Sequence, residues 1–222
     1  MSSTPPSHDE PIQNGGRASE PGSRPRYLAV ALVAALVIGA GCWTDGCSRL
    51  AFYRGEREHA ANIHQAIRDD DERARVEELY QRYEDVADAA RGRYVPIAAA
   101  TFVLGAALLA LAARGLAGKS NTRSALMQVV AVQAIVVGGG WFAIRDVREA
   151  EDEWQYAAVL AHQRESVPPE QFPDVVRVMR GLQRWGPPSM LALRTLASAL
   201  ILFALSRPRS REFFEATARN EA

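Results

Sequence analysis

Four apolar runs of near-membrane-spanning length, each bordered by arginine, constrain this chain more than any other feature of its sequence. They cover Tyr27–Thr44, Tyr94–Ala113, Ser124–Ile144 and Gly186–Ser206. A hydrocarbon core about 30 Å thick is crossed by roughly 20 residues of helix rising 1.5 Å each. The first run falls slightly short of that length and the other three match it. Arg194 is the only charged residue inside any of them. A segment in lipid must satisfy its own backbone, so these runs predict helices. The expected fold class is all-α, a multi-pass membrane protein with four transmembrane helices. Bulk numbers hide this: zero formal net charge and 23% charged residues average apolar spans with highly charged connectors.

The first 26 residues are rich in Ser, Pro and Gly and poor in core-forming side chains, which predicts a disordered tail. This polar leader is long for a signal peptide and the apolar run after it exceeds a usual signal core, so an uncleaved first helix is expected. Gly39-Ala40-Gly41-Cys42 departs from a lipoprotein cleavage box at Gly39, where a branched apolar residue belongs.

Charge beside the spans sets orientation. The loop 115–123 and its flanks carry Arg114, Lys119 and Arg123 without an acid. The tail 208–222 is preceded by Arg207 and carries Arg209 and Arg211, and the N-terminal flank carries Arg17, Arg24 and Arg26. The connectors 45–93 and 145–185 contain more acids than bases. Both termini and the short loop are therefore expected in the cytoplasm, with the two connectors outside. Lys119 is the only lysine among 26 basic residues, a bias that points to a GC-rich bacterial genome and hence to the inner (plasma) membrane.

Each connector has helical periodicity. Val76, Leu79, Tyr83, Val86 and Ala90 step by three and four, widened by Tyr80 and Ala87, a nearly coiled-coil seam offered to a partner. Phe52, Glu56, Ala60, Ile63 and Ile67 form a weaker stripe upstream, with the Asp69-Asp70-Asp71 run as break and helix cap. In the second connector Val147, Ala150, Trp154, Ala157 and Ala161 precede a proline break, and Val175, Val178, Leu182 and Trp185 return. Two antiparallel hairpins are expected to join as one extracytoplasmic bundle.

The halves 27–114 and 124–207 both run span, glycine cluster, tryptophan, charged connector, Arg-aromatic-x-Pro and span, which suggests a tandem duplication about an axis along the membrane normal. Interfacial aromatics and flanking arginines are, however, common in membrane proteins generally.

Candidate polar residues are few. An intramembrane arginine is costly unless paired or facing a wet interior, so Arg194 either contacts an anion or substrate, or snorkels and bonds a neighbouring helix. Thr101, Gln133 and Gln128 are its candidate companions, read first as helix–helix hydrogen bonders. Gly138, Gly139 and Gly140 are expected to permit close helix packing. Cys42 and Cys47 can bridge only if the helix ends between them, because residues five apart on a helix diverge. His59 and His64 are also five apart and lack metal-ligand spacing, so no metal or other cofactor is expected. No phosphate loop, nucleophile elbow or zinc-protease motif appears, and an enzyme is not expected. Basic residues interleave with acids, which excludes a nucleic-acid footprint. The expected partners are the lipid bilayer and a protein, by hetero-contact or self-association. The function expected is protein–protein contact through the extracytoplasmic bundle, as accessory subunit, scaffold or sensor-like module. The alternative is a small oligomeric transporter or channel with Arg194 in its path.

Overall fold

The structure, a computed structural model, describes residues 24–53, 67–119 and 121–221. Among them are seven helices and no strand: α1 (Arg26–Tyr53), α2 (Asp70–Ala89), α3 (Arg91–Leu116), α4 (Thr122–Ala143), α5 (Arg145–Ser166), α6 (Phe172–Ser206) and α7 (Pro208–Glu221). Four of them, α1, α3, α4 and α6, are long and apolar enough to span a membrane, which marks the chain as an integral membrane protein. The N-terminal tail through residue 23 and the central part of the first connector's upstream stripe, 54–66, lie outside the described residues.

The four long helices form a ring in which α1 and α4 each pack on α3 and α6. Leu28, Leu32, Leu108, Leu126, Val130, Ile201 and Leu205 fill its interior. Its periphery is apolar too, with Val30, Val37, Val103, Ile135, Leu193 and Phe203 more than half exposed. A bundle apolar inside and outside is suited to lipid, whereas water would demand a polar shell.

The closest approach in the ring is between α1 and α3, and glycine makes it. A Cβ on Gly105 would stand 2.4 Å from the Trp43 nitrogen, and one on Gly46 would stand 2.6 Å from the Phe102 nitrogen. Gly39 faces the Gly105 carbonyl from the other side, with 3.1 Å left for a Cβ. Small residues let membrane helices bring backbones into contact, where dispersion replaces the missing hydrophobic drive. This corrects the expectation for the later glycine cluster. A Cβ on Gly138 or Gly139 would meet nothing within 4 Å, and only Gly140 faces a neighbour, the Ile97 side chain at 2.9 Å.

At one end, the loop end, α3 ends at Leu116 and the chain turns at Gly118, whose φ of 77° is open to glycine, with the amides of Ala117, Gly118 and Lys119 closing back on the last turns of the helix. Arg123 Nε donates to the Leu205 carbonyl at 2.8 Å, tying α4 to the end of α6. The chain then reverses into α7, a helix where only a tail was expected. Phe214 of α7 is buried in the bundle core and the Ser210 hydroxyl donates to the Ala204 carbonyl at 2.7 Å.

At the opposite end, the hairpin end, α2 packs along α5. Asp69 caps α2 as its sequence suggested, its carboxylate accepting from the amides of Asp71 and Glu72 at 3.0 and 3.1 Å. Tyr80, Tyr83, Ala87 and Ala90 meet Val147, Ala150 and Trp154, and further out Ile67 and Val76 meet Ala158 and Ala161. Arg82–Glu153 at 3.0 Å and the pair Arg164–Glu72 bridge the same two helices.

Two of the long helices overrun the expected span boundaries. The first run was expected to end at Thr44, yet α1 continues to Tyr53, because Asp45 and Arg49 pair at i, i+4 and carry the helix onward. Helix α6 is continuous from the second connector's return stripe into the fourth span, through Pro187 and Pro188. At 35 residues it is about 52 Å long. Its limb from Phe172 to Trp185 lies beside α5 at the hairpin end, where Gln183 Nε2 donates to the Asp152 carbonyl at 3.2 Å and the Arg164 guanidinium lies 5.4 Å from the centre of the Phe172 ring.

Candidate functional site

Where the four long helices diverge at the hairpin end they enclose a cavity of about 240 Å³. Asp45 and Arg49 of α1, Thr101 of α3, Trp141 of α4, Arg148 of α5 and Arg194 of α6 supply its polar and aromatic lining. Ile97, Val136, Val137, Met190 and Leu191 make up much of the apolar remainder. Three arginines against one aspartate leave the lining net positive.

The arginines differ in how they are held. Arg49 donates to the Asp45 carboxylate at 2.9 Å and to the Tyr94 hydroxyl at 3.1 Å. Arg148 donates to the Trp141 carbonyl at 3.1 Å while its guanidinium lies 3.4 Å from the centre of the Trp141 ring. Arg194 has no hydrogen bond or ion pair among the described residues. A Cβ on Gly41 would stand 3.8 Å from Arg194 Nη2, so the guanidinium lies across a bare stretch of α1. Gly186, where the fourth apolar run begins, is eight residues away, so Arg194 lies about 12 Å into the span.

Behind Arg49 stands Glu151. Burial pushes its carboxyl above the ordinary carboxylate range, opposed by Arg49 and reinforced by Asp152 and Asp45. Burial also lowers the Arg148 guanidinium from its ordinary value, with Asp152 and Glu149 opposing. Both shifts have desolvation as their first cause, and the Arg148 guanidinium remains a cation.

Of the four intramembrane candidates, the structure brings Arg194 and Thr101 to this cavity. The Thr101 hydroxyl donates to its own helix at the Ile97 carbonyl, 2.8 Å away. Gln133 lies one turn deeper, buried, with Nε2 donating to Cys42 Sγ at 3.0 Å across the bundle diagonal and Oε1 without a partner among the described residues. Gln128 is exposed on the periphery of α4, away from the others. The cysteines do not bridge: α1 runs unbroken through both, leaving Cys42 buried and Cys47 exposed as free thiols.

The seam proposed for a partner is used by the chain itself. Val76, Tyr83 and Ala90 are buried at the hairpin end, and Leu79 and Val86 are half-buried. The return stripe departs the other way. Val178, Leu182 and Trp185 are 61%, 59% and 65% exposed, because the limb of α6 turns Phe172 and Gln183, not this stripe, toward α5.

Sequence reading missed Asp45, Arg49, Tyr94, Trp141 and Arg148 as one group, since each looked like an ordinary connector charge or interfacial aromatic. One signal was available: Asp45 and Arg49 continue the first span at helical spacing. No known protein family, curated protein or solved structure matches this chain.

Proposed function

We propose that this protein is an accessory subunit of a membrane complex, docking a helix of a second membrane protein along the exposed face of the α6 limb. The observation that carries the reading is the exposed stripe Val178, Leu182 and Trp185 beyond the span. Exposed apolar side chains within the span are solvated by lipid, but beyond it they face water, and covering each is worth about 1.5–3 kcal/mol. The stripe's three-and-four spacing suits a helix as occupant.

Charge argues for a different protein over a second copy. The limb carries Arg177, Arg180 and Arg184 against Asp174 alone. Two copies in one membrane align these arginines in parallel, whereas a helix flanked by carboxylates complements them. Arginine placement beside the spans supports an outward hairpin end, both termini in the cytoplasm and, with the arginine bias, a bacterial inner membrane. In this reading the α2–α5 pair is one half of an extracytoplasmic helical-hairpin bundle that stiffens the base of the limb. The repeated order of motifs supports a tandem duplication whose second copy has diverged, since its hairpin limb fuses with its span.

The transport alternative has one observation in its favour, the meeting of Arg194 and Thr101 in a cavity. Beneath that cavity, however, Gln133 and Ser198 are the buried polar side chains before the apolar cluster of Leu108, Val130 and Ile201, which offers an ion no continuous polar path. The docking reading is tested with the double substitution Val178→Asp, Leu182→Asp, which alters exposed positions and leaves the ring intact. A co-purifying membrane protein should be lost while the thermal midpoint of the purified chain stays unchanged. Retention of that protein by the double variant would contradict the reading.

A further inference from the structure

We propose that the vestibule at the hairpin end is an oxyanion site, with Arg194 as the principal ligand and Arg148 as the second cation at its mouth. The site is independent of the α6 docking stripe. Three observations converge on it. The first is the imbalance of fixed charge: Arg49, Arg148 and Arg194 line the cavity against Asp45, and Asp45 is already engaged by Arg49. Further carboxyls stand outside the lining, Glu151 acting on Arg49, and Asp152 and Glu149 acting on Arg148.

The second is the state of Arg194. A guanidinium presents five N–H donors in a planar fork that matches a carboxylate or phosphate edge. It lies about 12 Å into a span with none of those donors engaged among the described residues, where an unpaired cation is costly. The cavity in front of it is where a partner can sit. The third is the wall. Thr101 has its hydroxyl proton committed to the Ile97 carbonyl, so it offers an anion no donor and leaves the arginines as the ligands. Ile97, Val137 and Met190 lower the local dielectric, which strengthens a charge-assisted pair.

The ligand chemistry is a phosphate or carboxylate group. It has two sources, a solute anion from the hairpin side or the phosphate of an anionic lipid of the adjacent leaflet. Full-length protein in phosphate-free detergent is titrated with inorganic phosphate by calorimetry, and in parallel purified from phosphatidylglycerol-containing membranes and examined by native mass spectrometry. A solute site binds phosphate, and Arg194→Gln weakens that binding about tenfold or more. A lipid site shows no phosphate binding but retains one phosphatidylglycerol, lost in Arg194→Gln. In either case Arg194→Lys keeps the charge, loses the fork and falls between, and Arg209→Gln at the loop end changes nothing. If Arg194→Gln fails to fold, Arg194→Lys and Arg148→Gln decide, each expected to weaken the same ligand. Neither ligand bound by the wild-type chain, or binding undiminished in folded variants, overturns the proposal.

Discussion

Replacing Gly105 with valine is expected to push α1 away from α3 and destabilise the bundle by at least about 3 kcal/mol, the top of the range for overpacking. Even a Cβ at this position would stand 2.4 Å from the Trp43 backbone nitrogen and 2.9 Å from the Gly39 carbonyl oxygen. Those atoms belong to backbone, so no rotamer change relieves the clash and the two helices must separate along their length. Separation would strip Gly39, Cys42 and Gly46 of their packing and open the diagonal Gln133–Cys42 contact. The matched control is Gly138→Ala, where the new methyl meets nothing. It should be neutral or stabilising by up to about 1 kcal/mol, the helix-propensity difference. Thermal unfolding in detergent, followed by loss of monodisperse protein, separates the two. Equal midpoints for both variants would remove glycine contact as the organising feature of the ring.

The second large effect lies at the hairpin end. Trp154 of α5 packs against Tyr80 at 5.2 Å between ring centres and stacks on Tyr83 at 6.1 Å, within a cluster that continues through Phe52 and Tyr53 to Tyr94. Deleting a large aromatic from such a site costs about 3–5 kcal/mol. Trp154→Ala should therefore release α2 from α5 and raise amide exchange in both about a hundredfold or more. The ring of α1, α3, α4 and α6 should keep its protection, because it rests on a separate apolar cluster. Trp154→Phe should be far milder. The indole N–H is buried without a partner among the described residues, and removing an orphan donor worth about 1–3 kcal/mol offsets much of the lost volume. An alanine variant as well protected as the phenylalanine variant would show that the aromatic cluster is not what joins α2 to α5.

The contrast between these regions explains what the sequence disclosed. Hydropathy found all four spans, because lipid imposes a length and a composition that few other environments require. The Asp69 cap was readable because a carboxylate before a helix has one obvious use. The seam through Val76, Tyr83 and Ala90 was recognised as apolar, but periodicity does not name the surface that covers it, and α5 of the same chain does so. The return stripe Val178, Leu182 and Trp185 has the same pattern and the opposite fate. Glycine behaved similarly: three in a row at 138–140 drew notice, while Gly39, Gly46 and Gly105, spread over two helices, form the contact. The vestibule was the least legible feature. Arg194 stood out alone, but Arg49 and Arg148 join it only because α1 overruns its hydrophobic run and α5 begins at the end of α4.

The account depends on the hairpin end facing outward, and the chain carries its own reporter of that. Cys42 and Cys47 are its only cysteines, and of the two Cys47 is exposed, one turn beyond the first apolar run, while Cys42 is buried. Intact cells are treated with a membrane-impermeant maleimide, and the purified chain is then mapped by mass spectrometry. The account predicts modification of Cys47 in intact cells, none at Cys42, and loss of all labelling in Cys47→Ser. Labelling of Cys47 that appears only after the cells are lysed would place the hairpin end in the cytoplasm and contradict the account at its base.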